Sequence, residues 1–364
     1  EDMLDKGIIM EDVYLSIIDF DNTRIKFIFS DENSKQLIGR IMIRMDENND
    51  KDTNPKAKQE SRDLLGPGYG FWKAIQSVKR VQIEVSDEYK KLDKNSRGYT
   101  SWIGHSSFLI NNYDLNIITD PIFSNRASPF SFFGPKRLIE PAINYKDLPD
   151  IDVIVISHNH YDHLDIKSIK NLSRLYPNII FLVPLKLKKW FQRIGAKNVY
   201  EFNWWEEKTI GNTTFTFIPV QHWSRRGLFD KNKTLWGGWW IENSDIKLVH
   251  LGDTGYTKDF LEVNKRLGSP DVAFIPIGAY SPRRIMKKSH MNPTEALNAA
   301  LDLNAKRSIA MHWGTFILTT EPIEEPKVLL DKLIIVNNLE EDFFKTISPG
   351  QIYLFDKEVS TLKK

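Results

Sequence analysis

VISHNHYDHLD (155–165) places three histidines and an aspartate, His158, His160, Asp162 and His163, within six positions. The 364-residue chain has only eight histidines, and three of them follow directly on an apolar run, DVIVIS (152–157), that reads as a short buried strand. In an extended segment successive side chains alternate, so His158 and His160 share one side. The chain then turns, and Asp162 and His163 can address a second centre. One loop can thus supply two ligands to each of two metals. Structural needs do not call for such a grouping, so the loop is read as a metal site.

Three more donors recur at the ends of apolar runs: His222 after FIPVQ (217–221), Asp253 after LVHLG (248–252) and His312 after SIAM (308–311). A lone histidine at a strand end is more often a satisfied polar residue than a ligand, so these three gain weight only beside the loop. If the strand edges converge, His222 completes the first site, His312 the second, and Asp253 bridges them. Each metal then keeps a position for water. Two metals about 3.5–4 Å apart share a hydroxide whose pKa is lowered to about 7. Asp162 can accept a proton from that bridging water.

The chain is 41% hydrophobic and 27% charged, with a net charge of +2, a globular balance long enough for one large core or two domains. No long basic run points to nucleic acid. There are no cysteines, which excludes disulfides and thiolate sites and leaves His, Asp and Glu as ligands. That donor set suits zinc, with iron or manganese as alternatives. No apolar run approaches the roughly eighteen residues that span a bilayer. The chain begins at Glu1 rather than Met, so export stays open beside a cytoplasmic or peripheral membrane-associated location.

Residues 1–50 contain three short β-like runs, at 12–20, 23–31 and 37–45. A polar connector (46–63) leads to LLGPGYGFWKAIQSVKR (64–80), read as turn residues and a short amphipathic helix. The organisation expected is an accessory segment over 1–95 and a hydrolase domain over 96–364. Beyond residue 97, strands alternate with helices. Asp165 can cap a helix over IKSIKNLSRL (166–175) with Ile166, Ile169, Leu172 and Leu175 on its apolar face. Asn292 and Pro293 can open another over 293–304. Mixed strands with interspersed helices predict a layered α/β domain.

SHNHYDHLD resembles the HxHxDH signature of the metallo-β-lactamase superfamily. The likeness continues through WIGHSSFLI (102–110), ITDPIFSNRASPFSFFGPKRLIEPAI (118–143), NWWEE (203–207), VQHWSRR (220–226), LGDTGY (251–256), GAYSPRRIMKKSHMNP (278–293) and MHWGTF (311–316). That series, over roughly 97–320, resembles the N-acyl-phosphatidylethanolamine-hydrolysing phospholipase D family, its bacterial members included. The resemblance implies a four-layer αββα sandwich with two zinc ions at one edge. By position, His158, His160 and His222 match the ligands of the first zinc, Asp162, His163 and His312 those of the second, and Asp253 the bridge. It implies cleavage of the phosphodiester on the amine side of an N-acylated phosphatidylethanolamine, giving phosphatidic acid and an N-acylethanolamine. His290 aligns with a family histidine near the substrate, and Ser289 stands before it where animal members are expected to carry glutamine.

Around this core, Asp120 and His105 are candidates to orient ligands from behind. Trp223 and Arg225, beside His222, and Ser289 and His290 are candidate substrate contacts. Arg226, Arg283, Arg284, Lys287 and Lys288 could hold phosphate or headgroups, against the plainer reading of a solvated face. Phe130, Phe132 and Phe133 could meet acyl chains or a membrane interface. A homodimer is compatible with the sequence. The same metals could instead serve a lactonase or other carbonyl hydrolase, or sit in a non-catalytic binding module; loss of ligands would signal the latter, and all seven positions are filled.

Overall fold

The computed structural model describes residues 16–21, 24–28, 83–93 and 96–355. The chain divides into two compact units, Glu1–Ala74 with Ile334–Leu339, and Ile75–Leu333 with Glu340–Lys364. In the first, β1 (Ser16–Asp21) and β2 (Arg24–Ile28) form an antiparallel hairpin with an irregular register between Ile17 and Asp19. The third β-like run and the helix expected within 64–80 lie outside the described residues.

The second unit is two seven-stranded mixed sheets flanked by helices. After the short α1 (Glu88–Lys91) come β3 (Tyr99–Gly104), β4 (Ser107–Asn111), β5 (Asn116–Thr119) and β6 (Val153–Val155). The helix α2 (Ile166–Leu175), β7 (Ile180–Pro184), α3 (Lys188–Arg193) and β8 (Asn198–Phe202) complete that run. The second sheet takes β9 (Glu207–Ile210), β10 (Thr213–Ile218), β11 (Gly238–Glu242) and β12 (Lys247–His250). It continues after α4 (Asp259–Leu267) with β13 (Val272–Pro276), then α5 (Arg283–Met286), α6 (Pro293–Asp302), β14 (Arg307–Met311), α7 (Glu325–Val336) and β15 (Phe344–Lys345). The last strand, β16 (Ile352–Leu354), returns to pair with β3. The orders are β16-β3-β4-β5-β6-β7-β8 and β15-β14-β13-β12-β11-β10-β9.

Alternation along each strand divides the side chains between two faces. Leu109, Ile118, Ile154 and Phe181 join Ile169, Leu172 and Phe191 in one buried cluster, so α2 and α3 cover the outer face of the first sheet. On the other face Phe108 meets Phe274 of the second sheet at a ring-centroid distance of 4.7 Å. Trp239 of β11 likewise reaches Phe202 across the sandwich, at 5.1 Å. Helix α6 packs on β13 and on α4, closing the opposite side. This is the αββα order expected. Trp239 and Trp240 are neighbours on opposite faces, and both are fully buried because the sheet is covered on both sides.

Both helix starts follow from local chemistry. Asp165 accepts from the backbone N–H of Lys167 and Ser168, and Asn292 with Glu295 forms a reciprocal capping box ahead of Pro293. The apolar face of α2 is narrower than expected. Ile169 and Leu172 are buried, whereas Ile166 and Leu175, at the two ends, are exposed.

Candidate metal centre

The donors sit where strands end. Strands β5 and β6 run parallel, as do β12, β13 and β14. From their C-terminal ends come Asp120, the 156–165 loop, Asp253, the 277–292 segment and His312; His222 follows β10. Two glycines permit the crowding. A Cβ on Gly252, whose φ is +61°, would lie 2.6 Å from the Ser157 Cβ, and one on Gly278 would lie 2.2 Å from the His312 carbonyl oxygen.

The structure brings all seven donors together, in groups whose ligand atoms lie within 4.8 Å of one another: His158, His160, His222 and Asp253; His105, Asp162, His163 and His312; and Asp253, His290 and His312. Outer hydrogen bonds set the ring orientations. His222 Nδ1–H donates to the Ser289 carbonyl (2.9 Å). His163 Nδ1–H donates to Asp120 Oδ2 (2.8 Å). The Ser157 hydroxyl donates to the same Asp120 oxygen (2.6 Å), so it accepts from His158 Nδ1–H (2.9 Å). His158 and His222 therefore turn an unprotonated Nε2 inward, and His163 turns its Nε2 toward Asp253. His160 Nδ1 lies 2.8 Å from His158 Nε2 and 3.2 Å from His222 Nε2. Three ring nitrogens facing one another, two of them lone pairs, form a cradle for a cation.

Asp253 joins the groups. Its Oδ2 lies 3.1 Å from His163 Nε2, 3.7 Å from His158 Nε2 and 3.8 Å from His222 Nε2. Its Oδ1 lies 3.1 Å from His312 Nε2. Asp162 Oδ2 lies 3.0 Å from His105 Nε2 and 3.4 Å from His312 Nε2. Among the described residues, His163 Nε2, His312 Nε2, His290 Nδ1 and Asp253 Oδ1 are buried without a hydrogen-bond partner. Such orphaned atoms are costly unless something binds them.

Charge points the same way. Burial holds His158 and His222 well below the ordinary imidazole value and His160 and His290 at about 4, so all four stay neutral at pH 7. Burial also acts to raise Asp253, but His163, His312 and His290 outweigh it and hold its carboxyl well below the usual range. His163, His105 and His312 do the same for Asp162. In return, and against burial, the aspartates raise His163 well above its ordinary value and His312 to about 9. Two carboxylates that stay ionised, Asp253 buried and Asp162 largely so, require positive charge beside them. A metal supplies it while leaving the histidines in the neutral form that ligands need. The residues fit the group.

Other candidates fall differently. His105 contacts Asp162 directly and is fixed by its backbone N–H to Thr315 Oγ1 (2.7 Å). Asp120 lies behind His163 and accepts from its Nδ1–H. His290 Nδ1 is 4.0 Å from Asp253 Oδ2. Ser289 acts on His222 through its carbonyl rather than its hydroxyl. The Trp223 ring packs edge-on against His160, with centroids 4.4 Å apart. Exposed Arg225 donates from Nε to the Gly227 carbonyl (2.9 Å) within its own loop. Arg283 bonds the His290 carbonyl and Glu295. Ser157 and Arg226, neither read from the sequence as holding the loop, do so here; no residue pattern marks either one.

Asp120→Asn tests the support behind His163. With its oxygen kept on the Ser157 N–H, the amide turns its NH₂ toward the two donors that meet Oδ2, the Ser157 hydroxyl and His163 Nδ1–H. Metal affinity should fall about 10–100-fold in chelator competition. Unchanged affinity would remove Asp120 from the orienting role.

The sequence profile of the Beta-lactamase superfamily domain matches residues 115–313, a span holding every donor above except His105. Igni18, a metallo hydrolase from Ignicoccus hospitalis, has the same fold; it is 20% identical, with a TM-score of 0.55, covering 72% of this chain and 100% of that one. Fold and relatives define a hydrolytic enzyme of the metallo-β-lactamase class, with His/Asp clusters as candidate metal sites. The N-acyl-phosphatidylethanolamine-hydrolyzing phospholipase D 1 of Caenorhabditis elegans is 41% identical over 293 residues, 77% of this chain and 82% of that protein. The mitochondrial N-acyl-phosphatidylethanolamine-hydrolyzing phospholipase D of Saccharomyces cerevisiae is 36% identical over 242 residues, 65% of this chain and 51% of its own length. The chain belongs to this N-acyl-phosphatidylethanolamine-hydrolyzing phospholipase D family within the beta-lactamase superfamily. A second profile, RNA polymerase Rpb1 domain 7, matches residues 1–66, ahead of the span that carries the site.

Proposed function

We propose that this chain is a zinc-dependent phosphodiester hydrolase of the phospholipase D type. Its substrate is an N-acyl-phosphatidylethanolamine, and its products are phosphatidic acid and an N-acylethanolamine. The observation that carries the reading is the convergence of three histidine groups on the single carboxylate of Asp253. The printed activity of the C. elegans relative supports the substrate. His158, His160 and His222 would hold one zinc, Asp162, His163 and His312 the other, and Asp253 both. Such a pair, when bound, would lower the pKa of water to about 7 and offset charge at phosphorus.

The chain's own groups do the rest. The reaction adds the hydroxyl of water to phosphorus and breaks its bond to the ethanolamide oxygen, which takes a proton. Asp162 Oδ2, ionised and 3.0 Å from His105, is the base placed to take the proton from water. His290, neutral and with a free Nδ1, is placed to bond the substrate beside Asp253. Trp223 walls the His160 side. The loops leaving this edge expose Phe132, Leu228, Phe229 and Ile285, with exposed Lys231, Lys233, Arg284, Lys287 and Lys288 among them. Apolar tips among cations suit peripheral contact with a phospholipid surface.

The test is release of N-acylethanolamine and phosphatidic acid from an N-acylated phosphatidylethanolamine in mixed micelles, with bound metal quantified. Two zinc ions per chain and release that stops with chelator are expected. Two metals without release would sink the substrate and direct assays to lactones and smaller phosphodiesters.

A further inference from the structure

Arg226 lies four residues beyond His222, and its side chain turns inward. Nη1 donates to the carbonyl oxygens of Asn159 (3.1 Å) and Leu164 (2.7 Å). The guanidinium lies over the Tyr161 ring, 4.2 Å from its centroid, and 5.1 Å from that of Trp190. In the reverse direction the Tyr161 hydroxyl donates to the Arg226 carbonyl (2.8 Å). The Arg226 backbone N–H is itself held by the Asp230 carboxylate (3.1 Å), which also accepts from Gly227 N–H (2.7 Å). Two chain segments far apart in sequence are thus joined by bonds running both ways.

We propose that Arg226 is a positioning residue for the metal centre, clasping the loop of His158, His160, Asp162 and His163 to the loop of His222. Its two bonds hold the motif at one point within it and one just after it. Asn159 sits between the first two histidines, and Leu164 directly follows the last. The ligands contributed by the two loops keep their mutual spacing only while both loops are fixed, and 62 residues separate His160 from His222. A planar guanidinium can stack between two rings and reach two carbonyls at once. An ammonium cannot reproduce both contacts. With those donors turned to backbone oxygens, Arg226 is structural support for the site, whereas the sequence alone left it between a headgroup contact and a solvated face.

The proposal rests on the assignment of the histidine clusters as metal ligands, and its test separates the two. Purified holoprotein, with Arg226→Lys, Arg226→Met and Tyr161→Phe variants, is mixed with a chromophoric chelator and the rate of metal release is followed. Melting temperatures are recorded for holo and chelated forms of each. Release should quicken by about 10-fold or more in Arg226→Met, within the range for outer partners of metal ligands. Arg226→Lys should fall between, and Tyr161→Phe should show a smaller change of the same sign. The holo forms should lose more in melting temperature than the chelated ones. Release at the wild-type rate, or equal losses in holo and chelated forms, overturns the clasp and leaves Arg226 as a packing residue. If Arg226→Met does not fold, Arg226→Lys and Tyr161→Phe decide by the same criteria. Wild-type protein that binds no metal overturns the ligand assignment together with the clasp. Loss of the clasp alone leaves the phospholipid substrate untouched.

Discussion

Asp253→Asn should cost both metal content and turnover, and turnover by more than the roughly 100-fold that loss of an outer partner costs. The replacement keeps the shape of the side chain and removes its charge. Its two oxygens face both histidine groups: Oδ2 lies 3.1 Å from His163 and 3.7 and 3.8 Å from His158 and His222, and Oδ1 lies 3.1 Å from His312. An amide presents one oxygen and one NH₂, so one side of the site loses the oxygen that a cation needs and both lose the negative charge. If the carboxylate is shared between two metals, as proposed, the variant should weaken both positions together. Metal analysis of the purified variant, together with the micelle assay, reads both quantities. Wild-type metal content with wild-type turnover would contradict the bridging role. The chelated forms of variant and wild type should melt at similar temperatures, since packing is preserved.

Trp239→Ala should destabilise the fold by about 3–5 kcal/mol, the range for emptying a large aromatic site in a core. Trp239 is fully buried between the sheets, with ring centroids of Phe217 and Phe202 at 4.8 and 5.1 Å. Its Nε1 donates to the Ile156 carbonyl (2.9 Å), two residues before His158. The substitution therefore opens a gap and frees the root of the ligand loop. Trp239→Phe keeps most of the packing and loses that hydrogen bond, worth about 1 kcal/mol, along with part of the ring volume. Denaturant midpoints of the three proteins measure this. A loss well under 1 kcal/mol in Trp239→Ala would show that the sheets close over the gap and that the contact carries little.

The parts of this protein that could be read from its sequence are those written in local chemistry. The ligand loop declares itself by density, with three of eight histidines in six positions. The caps at Asp165 and Asn292 are legible because a side chain bonds a backbone N–H a few residues on. His222, Asp253 and His312 were legible as strand-end donors once the loop gave them a reason to meet. Long-range pairing was not legible. Ser157 shows nothing that says its hydroxyl will link Asp120 to His158. Arg226 reads from sequence as a headgroup contact or a solvated charge until the fold places carbonyls under it. Ser289 contributes through its backbone, which no residue identity encodes. The strands β8, β9, β15 and β16 lie at or near sheet edges, where few residues and mixed exposure leave no apolar run to detect. The burial of both Trp239 and Trp240 depends on cover from two sides, a property of the assembled layers.

The order in which the chain builds its sheets has a further implication. The first sheet is laid down by residues 99–202 and the second by residues 207–345, with β16 alone crossing back. His105, Asp120 and the 158–163 donors belong to the first half; His222, Asp253, His290 and His312 belong to the second. The centre is therefore an interface within one chain, resembling a site shared by two subunits. A cut in the turn at 203–206 would yield fragments of which neither owns a complete donor set, and catalysis would then report their complementation. In the intact chain the linking turn and the returning strand hold the halves at high effective concentration, so the chemistry exists only as a property of their union.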